Sequence, residues 1–225
     1  MNGSFPKIKI CGVNSLPFAK RAEELGADYL GFIFAERSPR RVPPAIAAEM
    51  ASALRGTAKT VGVFTGSPVA EIIGVAREVR LDVVQLHSED YGADEIRRLH
   101  GAGLEVWQLG GCSASRLCVA QGRRDGDAVG QGAEAGCRPD AVLLDGRTAA
   151  GTGGTGTLAD WRLAAALADA GVRVVLAGGI SADNAVDAAR TGCAVLDVNS
   201  SLETAPAVKS EKLLERFFAA LAAAM

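Results

Sequence analysis

The chain alternates between short apolar runs and longer amphipathic stretches rich in alanine. The apolar runs recur roughly every 20 to 30 residues and are rich in β-branched side chains, which is typical of strands separated by helices. Helices are predicted where the apolar period lengthens, several of them opened by Pro or Ser and closed near Gly. The predicted strands are Lys7–Cys11, Tyr29–Phe34, Lys59–Phe64, Val83–His87, Glu105–Leu109, Ala141–Asp145, Val172–Ala177 and Ala194–Val198, and the predicted helices are Leu16–Leu25, Pro43–Leu54, Val69–Val79, Ala93–Leu99, Leu158–Ala170, Ala182–Ala189 and Ser210–Ala224.

The near-continuous apolar strands favour a parallel sheet buried on both faces, because a sheet with one wet face would alternate apolar with polar residues. Eight such strands predict an α/β fold of the (β/α)8 TIM barrel type, with a doubly wound open sheet as the alternative. The glycine-rich segment Gly110–Pro139 lacks an apolar period, so we expect a loop that shortens or replaces the fifth helix. The length of 225 residues suits a single domain over residues 1–225.

Composition narrows the class of partner. The net charge is −2 with both signs interspersed, so the chain has neither the basic stripe typical of nucleic-acid binding nor a polybasic membrane patch. We expect a small-molecule substrate, no nucleic acid and no membrane partner, and a monomer. Five cysteines, an odd number, argue against a disulfide framework, and the N-terminus lacks the apolar run of a signal peptide, so we expect a cytoplasmic protein.

Polar residues gather where the predicted strands end. In a closed barrel, the carboxyl ends of the strands meet at one face, where catalytic groups lie. The sequence therefore predicts one shared pocket formed from different strands. The residues at or shortly after strand ends are Cys11, Arg40, His87, Gln108, Asp145, Gly178, Gly179, Asn199 and Ser200.

Two of these residues could form an acid–base pair. A thiol whose pKa is lowered from about 8.5 is partly ionised near neutral pH and can abstract a carbon-bound proton, although a lone cysteine such as Cys11 is more often a small buried apolar residue. Asp145 follows three apolar residues, where burial favours the neutral acid, although an aspartate there could equally cap the next turn. A base and an acid across the mouth of one barrel are what proton-shuttle isomerisation needs.

Two further residues could bind a substrate. Arg40 lies in a loop with three arginines in five residues and could pair bidentately with a carboxylate, or the loop could simply be solvated. His87 could hydrogen-bond a ligand or be a structural imidazole.

Glycine-rich turns follow the last three strands. Residues 151–156 fit the dinucleotide pattern G-x-G-x-x-G, but five residues separate them from the preceding strand and no acidic residue ends the next strand to hold a ribose. We therefore expect Gly154 and Thr155 to line a small ligand. The turns at Gly178–Gly179 and Asn199–Ser200 end strands seven and eight, whose loops commonly bind phosphate in such barrels. No pair of cysteines has the spacing of a zinc site, so no metal is expected.

Taken in order, these motifs resemble the phosphoribosylanthranilate isomerases of tryptophan biosynthesis. The resemblance runs nearly end to end. One departure from the family pattern is Asn199-Ser200-Ser201, which stands where Ser-Ser-Gly is usual. The resemblance rests on Lys9–Gly12, Gly26–Phe34, Ser38–Arg40, Val61–Phe64, Val84–His87, Leu143–Asp145, Gly153–Gly156, Asp160–Trp161, Leu176–Ile180 and Asp197–Ser200.

The resemblance implies an Amadori rearrangement without a cofactor. It implies that Asp145 protonates the ribose ring oxygen and that Cys11 then takes the C2′ proton. It also implies that Arg40 holds the anthranilate carboxylate, that Asp197 and His87 contact the sugar and the ring, and that Gly178, Gly179, Asn199 and Ser200 hold the phosphate. The alternatives are a histidine-pathway-type phosphoribosyl isomerase, which typically has Asp in place of Cys11, and a catalytically silent paralogue that only binds a phosphoribosyl or anthranilate-like ligand.

Overall fold

Eight parallel strands close into a barrel. The structure is a computed structural model and describes residues 5–110, 137–146 and 159–224. Each strand hydrogen-bonds to its neighbours in the chain, and β8 pairs with β1 to complete the cylinder. The predicted TIM barrel is therefore confirmed, and the open sheet is excluded. The strands are β1 Lys7–Cys11, β2 Tyr29–Ile33, β3 Lys59–Phe64, β4 Val83–Leu86, β5 Glu105–Leu109, β6 Ala141–Leu144, β7 Val174–Leu176 and β8 Val195–Val198.

Helices surround the barrel on its outer face. Within the described ranges they occupy the predicted places with ends shifted by a few residues. The predicted replacement of the fifth helix by a loop falls at residues 110–139, most of which lie outside the described residues. The helices are α1 Leu16–Glu24, α2 Pro44–Ser52, α3 Val69–Val79, α4 Ala93–Gly101, α5 Trp161–Asp169, α6 Ala185–Ala189 and α7 Glu211–Ala222.

Local chemistry sets the ends of several elements. Helix α5 begins at Trp161 because the Asp160 carboxylate accepts hydrogen bonds from the N–H groups of Arg162 and Leu163. Strands β4 and β6 end one residue earlier than predicted, at Leu86 and Leu144. His87 and Asp145 are therefore the first residues of their loops, at the carboxyl face of the barrel.

The core has an inner and an outer layer. The outer layer packs the strands against the helices and contains most of the buried apolar side chains. Inside the barrel, Tyr29 and Trp107 meet edge to face with ring centroids 5.0 Å apart and fill the lower part of the cylinder. Above them lie Cys11, Ile33 and Val63. The packed lower interior supports an open cavity at the carboxyl face.

A hairpin that the sequence pattern does not predict follows β8. After a 3₁₀ turn at Ser200–Leu202, strands β9 Glu203–Ala205 and β10 Val208–Lys209 pair in antiparallel fashion. The hairpin is held to the loop after β1 by Asn14, whose Nδ2 donates a hydrogen bond to the Ala207 carbonyl at 2.7 Å. Its turn places Ala207 at a φ of +64°, the left-handed region. The hairpin carries Glu203 and Lys209 to the mouth of the barrel.

In the portion of the chain described, no helix is long and apolar enough to cross a membrane.

Candidate active site

A cavity of about 900 Å³ opens at the carboxyl face of the barrel. With the exception of Gln108, every strand-end residue predicted to share a pocket lines this cavity. Gly154 and Thr155, also predicted to contact the ligand, lie outside the described residues. The predicted residues at the cavity are Cys11, Arg40, His87, Asp145, Gly178, Gly179, Asp197, Asn199 and Ser200.

Cys11 is buried at the end of β1, beside Gly31 of β2. A Cβ at Gly31 would lie 3.2 Å from the Cys11 Sγ and 3.1 Å from the Lys9 Cε, so the glycine leaves the space in which these two side chains meet. Burial raises the pKa of the Cys11 thiol, and the charge and hydrogen bond of Lys9 oppose that effect. The sequence does not determine the direction of this shift; in the structure the neutral thiol is favoured, because desolvation outweighs the nearby cation.

A buried ion pair lies beneath Cys11. The Lys9 Nζ donates to the Asp197 Oδ2 at 2.7 Å, joining β1 to β8. Burial acts to lower the pKa of Lys9, but the charges of Asp197 and Cys11 outweigh it and raise the pKa, so the ammonium form is favoured. The other carboxylate oxygen, Asp197 Oδ1, is buried without a hydrogen-bond partner in the described protein. Lys9 is not among the site residues predicted from the sequence, although its position two residues before Cys11 puts it on the same face of the strand.

Asp145 lies beside His87 across the mouth of the barrel. The His87 Nε2 is 3.2 Å from the Asp145 Oδ2, and each side chain is 18% exposed. The separation is that of an ion pair, and the His87 Nε2 has no hydrogen-bond partner among the described residues. The imidazole is thus placed to influence the carboxyl group that the sequence assigns as the acid.

Arg40 is already engaged by a carboxylate of this chain. Its Nε and Nη2 donate to the two carboxylate oxygens of Glu203, each at 2.7 Å, in a bidentate pair. Burial alone would raise the pKa of Glu203, but the Arg40 hydrogen bonds and the Lys209 charge overcome it and lower the pKa. The fork that was expected to clamp the anthranilate carboxylate is therefore occupied by Glu203 in this structure, and Nη1 is the remaining guanidinium nitrogen.

Lys209 organises the loop that was expected to bind phosphate. Its buried ammonium contacts Glu203 at 3.1 Å and donates to both the backbone carbonyl and the Oδ1 of Asn199, at 2.9 and 2.8 Å. Burial lowers the pKa of Lys209. The same Asn199 Oδ1 packs over Gly12, where a Cβ would come within 2.8 Å of it. The Asn199 side chain is thus turned inward, toward Lys209.

The turns after β7 and β8 are tied together at the cavity edge. Ser201 Oγ donates to the Ile180 carbonyl at 2.5 Å. Gly178 and Gly179 have φ values of +85° and +66°, which glycine adopts without strain. A Cβ at Gly178 would lie 2.3 Å from the Gly146 nitrogen, so the β7 turn packs directly on the loop that carries Asp145.

Gln108, a strand-end residue, does not line the cavity. Its side chain is buried, and its Nε2 donates to the Tyr91 carbonyl at 2.8 Å. Glu203 and Lys209, which contact the cavity-lining residues Arg40 and Asn199, had no signal in the sequence, because the segment Glu203–Lys209 has the composition of a surface turn.

Comparisons with known proteins identify the family. The family model described as N-(5′-phosphoribosyl)anthranilate (PRA) isomerase matches residues 8–220. The N-(5′-phosphoribosyl)anthranilate isomerase of Rubrobacter xylanophilus is 39% identical over 215 residues, covering 95% of this chain and 98% of that protein.

Solved structures identify the same family. The phosphoribosyl anthranilate isomerase of Thermus thermophilus superposes with a TM-score of 0.81 at 32% identity, covering 97% of this chain and 100% of that one. A second phosphoribosyl anthranilate isomerase, in complex with reduced 1-(o-carboxyphenylamino)-1-deoxyribulose 5-phosphate, has a TM-score of 0.74 at 26% identity, with 97% and 99% covered. The resemblance inferred from the motifs is confirmed, and this chain belongs to the N-(5′-phosphoribosyl)anthranilate isomerase family.

Proposed function

We propose that this barrel rearranges N-(5-phosphoribosyl)anthranilate to 1-(2-carboxyphenylamino)-1-deoxyribulose 5-phosphate, with Asp145 as general acid and Cys11 as general base. The observation that carries the assignment is that a thiol on β1 and a carboxyl group after β6 line one cavity of a chain that belongs to this isomerase family. Residues 1–225 act as one domain in this proposal.

The acid acts first. Protonation of the ribose ring oxygen by Asp145 lets the bond between C1′ and that oxygen break, while the nitrogen lone pair forms a C1′=N bond. The oxygen leaves as a hydroxyl group, and Asp145 is left as a carboxylate. His87, 3.2 Å from that carboxylate, is placed to stabilise it when the imidazole is protonated.

The base acts second. The Cys11 thiolate takes the C2′ proton, and the electrons of the C–H bond form a C1′=C2′ bond, which neutralises the iminium nitrogen. Ketonisation then removes the enol proton, adds a proton at C1′ and leaves a carbonyl at C2′. Because burial disfavours the thiolate, we propose that Lys9 is the cation that stabilises it.

Substrate binding falls to the surrounding loops. Asp197 Oδ1, buried and without a protein partner, suits a sugar hydroxyl. The phosphate would lie against the turns at Gly178–Gly179 and Ser200, with Asn199 contributing through its backbone because its side chain is bound to Lys209. Arg40 would reach the anthranilate carboxylate through Nη1, and Gly154 and Thr155 complete the proposed ligand contacts.

The test is turnover of substrate made in situ from anthranilate and phosphoribosyl pyrophosphate, followed by loss of its fluorescence without added metal or nucleotide. The histidine-pathway substrate, run in parallel, should not be converted. Cys11→Ser and Asp145→Asn should each lower kcat by at least about 100-fold. Matched controls are Cys193→Ser, a buried thiol that does not line the cavity, and Asp160→Asn, which keeps the cap of α5. Wild-type protein without turnover would favour the silent binder.

The remaining expectations concern assembly and compartment. The large apolar side chains that are exposed in the described residues, Phe5, Ile46 and Val208, lie on separate elements, which supports a monomer that sedimentation would detect. The catalytic role of Cys11 requires a reduced thiol, and Cys11, Cys137 and Cys193 are all free, which supports a cytoplasmic location. A dimer in sedimentation, or a disulfide at Cys11 in freshly isolated protein, would contradict these expectations.

A further inference from the structure

Gln85 is a buried polar residue at the floor of the cavity that the acid–base chemistry does not use. It lies on β4, two residues before His87, so strand alternation turns both side chains toward the barrel interior. Its relative exposure is 2%, and Val83, the preceding inward residue of the strand, is packed in the apolar interior. Along β4, Gln85 is therefore the first inward-facing residue that lines the cavity, above the apolar side chains that fill the lower barrel.

The Gln85 side-chain carbonyl has no hydrogen-bond partner among the residues that the structure describes. Its Oε1 is fully buried, and no donor of the described residues reaches it. A buried amide without a partner destabilises a fold, which is why nearly all such groups are paired. Since no described residue bonds to the Gln85 Oε1, we look for its donor among the contents of the cavity.

A second glutamine shows what a structural role looks like in the same barrel. Gln108, on the neighbouring strand β5, is 8% exposed and is satisfied by the Tyr91 carbonyl at 2.8 Å. Replacement of Gln108 removes a bond that holds the loop before α4. Replacement of Gln85 removes no side-chain hydrogen bond to any residue in the described ranges, so the two glutamines provide a matched pair.

An unpartnered acceptor also faces the cavity from the opposite side of the barrel. Asp197 Oδ1 on β8 is buried and without a partner, while its Oδ2 is bound to Lys9. Strands β4 and β8 are half a turn apart in the closed order of eight, so the two acceptors lie on opposing walls. A ligand that satisfies both needs at least two N–H or O–H donors along its length, which a hydroxylated sugar joined to an amine supplies.

We propose that Gln85 is a substrate-binding residue whose side-chain carbonyl accepts a hydrogen bond from an O–H or N–H donor of the aminosugar during the rearrangement. The proposal rests on the proposed function, because that reaction supplies the donors. Gln85 carries no charge and takes no proton, so it orients the sugar against Cys11 and Asp145 without altering their protonation.

The experiment compares Gln85→Met with Gln108→Met in two measurements. Reduced 1-(o-carboxyphenylamino)-1-deoxyribulose 5-phosphate, which retains N–H and O–H donors, serves as the probe for binding by calorimetry, and urea unfolding gives stability. For Gln85→Met we expect a Kd about 10- to 100-fold weaker, an unfolding midpoint that is unchanged or raised, and an unchanged shape of the pH profile of kcat/KM. For Gln108→Met we expect the reverse, a lowered midpoint with an unchanged Kd.

Gln85→Asn provides a second variant that keeps the amide but shortens its reach, and it should also weaken binding of the probe. Unchanged affinity in both Gln85 variants, or a Gln85→Met protein that is destabilised or fails to fold, would show a structural residue and overturn the proposal. Failure of the proposed function is separate from these outcomes, because it would appear as a wild-type enzyme without turnover.

Discussion

The buried pair of Lys9 and Asp197 should tune the Cys11 thiol in opposite directions when each partner is replaced. Lys9→Met removes the cation that opposes the effect of burial, so the pKa of Cys11 should rise further. Asp197→Asn removes the anion that partly cancels Lys9, so the pKa of Cys11 should fall. Because Lys9 and Asp197 carry opposite charges next to the same buried thiol, the two substitutions should move its pKa in opposite directions.

The burial of Lys9 and Asp197 indicates that their charges act strongly on the Cys11 thiol. Lys9 is fully buried, and its Nζ is 2.7 Å from the Asp197 Oδ2, so neither charge is screened by bulk water. Lys9 acts on the thiol through its charge and a hydrogen bond, whereas Asp197 acts through its charge alone. Loss of Lys9 therefore cannot be compensated by Asp197, whose own charge becomes costly when its partner is gone.

The assay is the pH dependence of Cys11 alkylation by iodoacetamide, followed by mass spectrometry of the peptide that carries Cys11. This readout needs no substrate, so the loss of a binding contact at Asp197 does not affect it. Lys7→Met, two residues earlier on the same strand, is the control and should leave the profile unchanged. Lys9→Met and Asp197→Asn disturb the same buried pair, so a nonspecific loosening of the barrel would move their two alkylation profiles in the same direction. Shifts of equal sign, or no shift, would refute the electrostatic role of Lys9.

Three further predictions concern the scaffold. Gly178→Ala should lower kcat at least about 10-fold in the fluorescence assay, because its Cβ would meet the backbone of the loop that carries Asp145; wild-type kcat would contradict this. Ala207→Gly should raise the free energy of unfolding by up to about 1 kcal/mol in urea titrations, since it relieves a left-handed alanine; a loss of stability would contradict the strain. Ser210→Ala should cost about 1 kcal/mol in the same titrations, because its Oγ accepts from the Leu213 N–H at the start of α7, and Ser210→Asp should retain most of that stability.

The features that could be predicted from the sequence are those that local hydrophobic patterns determine. Strand runs are short, apolar and separated by helices, so their number and positions could be read directly, and the barrel followed from eight of them. The strand-end rule then placed residues as distant as Cys11 and Asp145 at the same cavity, because the carboxyl ends of parallel strands share one face. The identity of the family rested on the order of those motifs.

The interactions that the sequence did not predict join residues far apart in the chain. Arg40 and Glu203 are separated by 163 positions, and their pairing depends on a hairpin with no apolar period of its own. From the sequence alone, Lys9 cannot be distinguished from a surface lysine, because its partner Asp197 lies on β8, which pairs with β1 only in the closed barrel. The raised pKa of Cys11 likewise follows from depth of burial, which depends on the packed barrel rather than on neighbours in sequence.

The ion pair between Lys9 and Asp197 also bears on the order in which the enzyme is built. Its two members are 188 positions apart and lie on the first and last strands of the barrel. During synthesis, Lys9 emerges early and has no partner until β8 has been made and docked against β1. The environment of Cys11 is therefore completed at the step that seals the cylinder, and in a truncated chain that ends before β8 the Lys9 ammonium would lack its carboxylate partner.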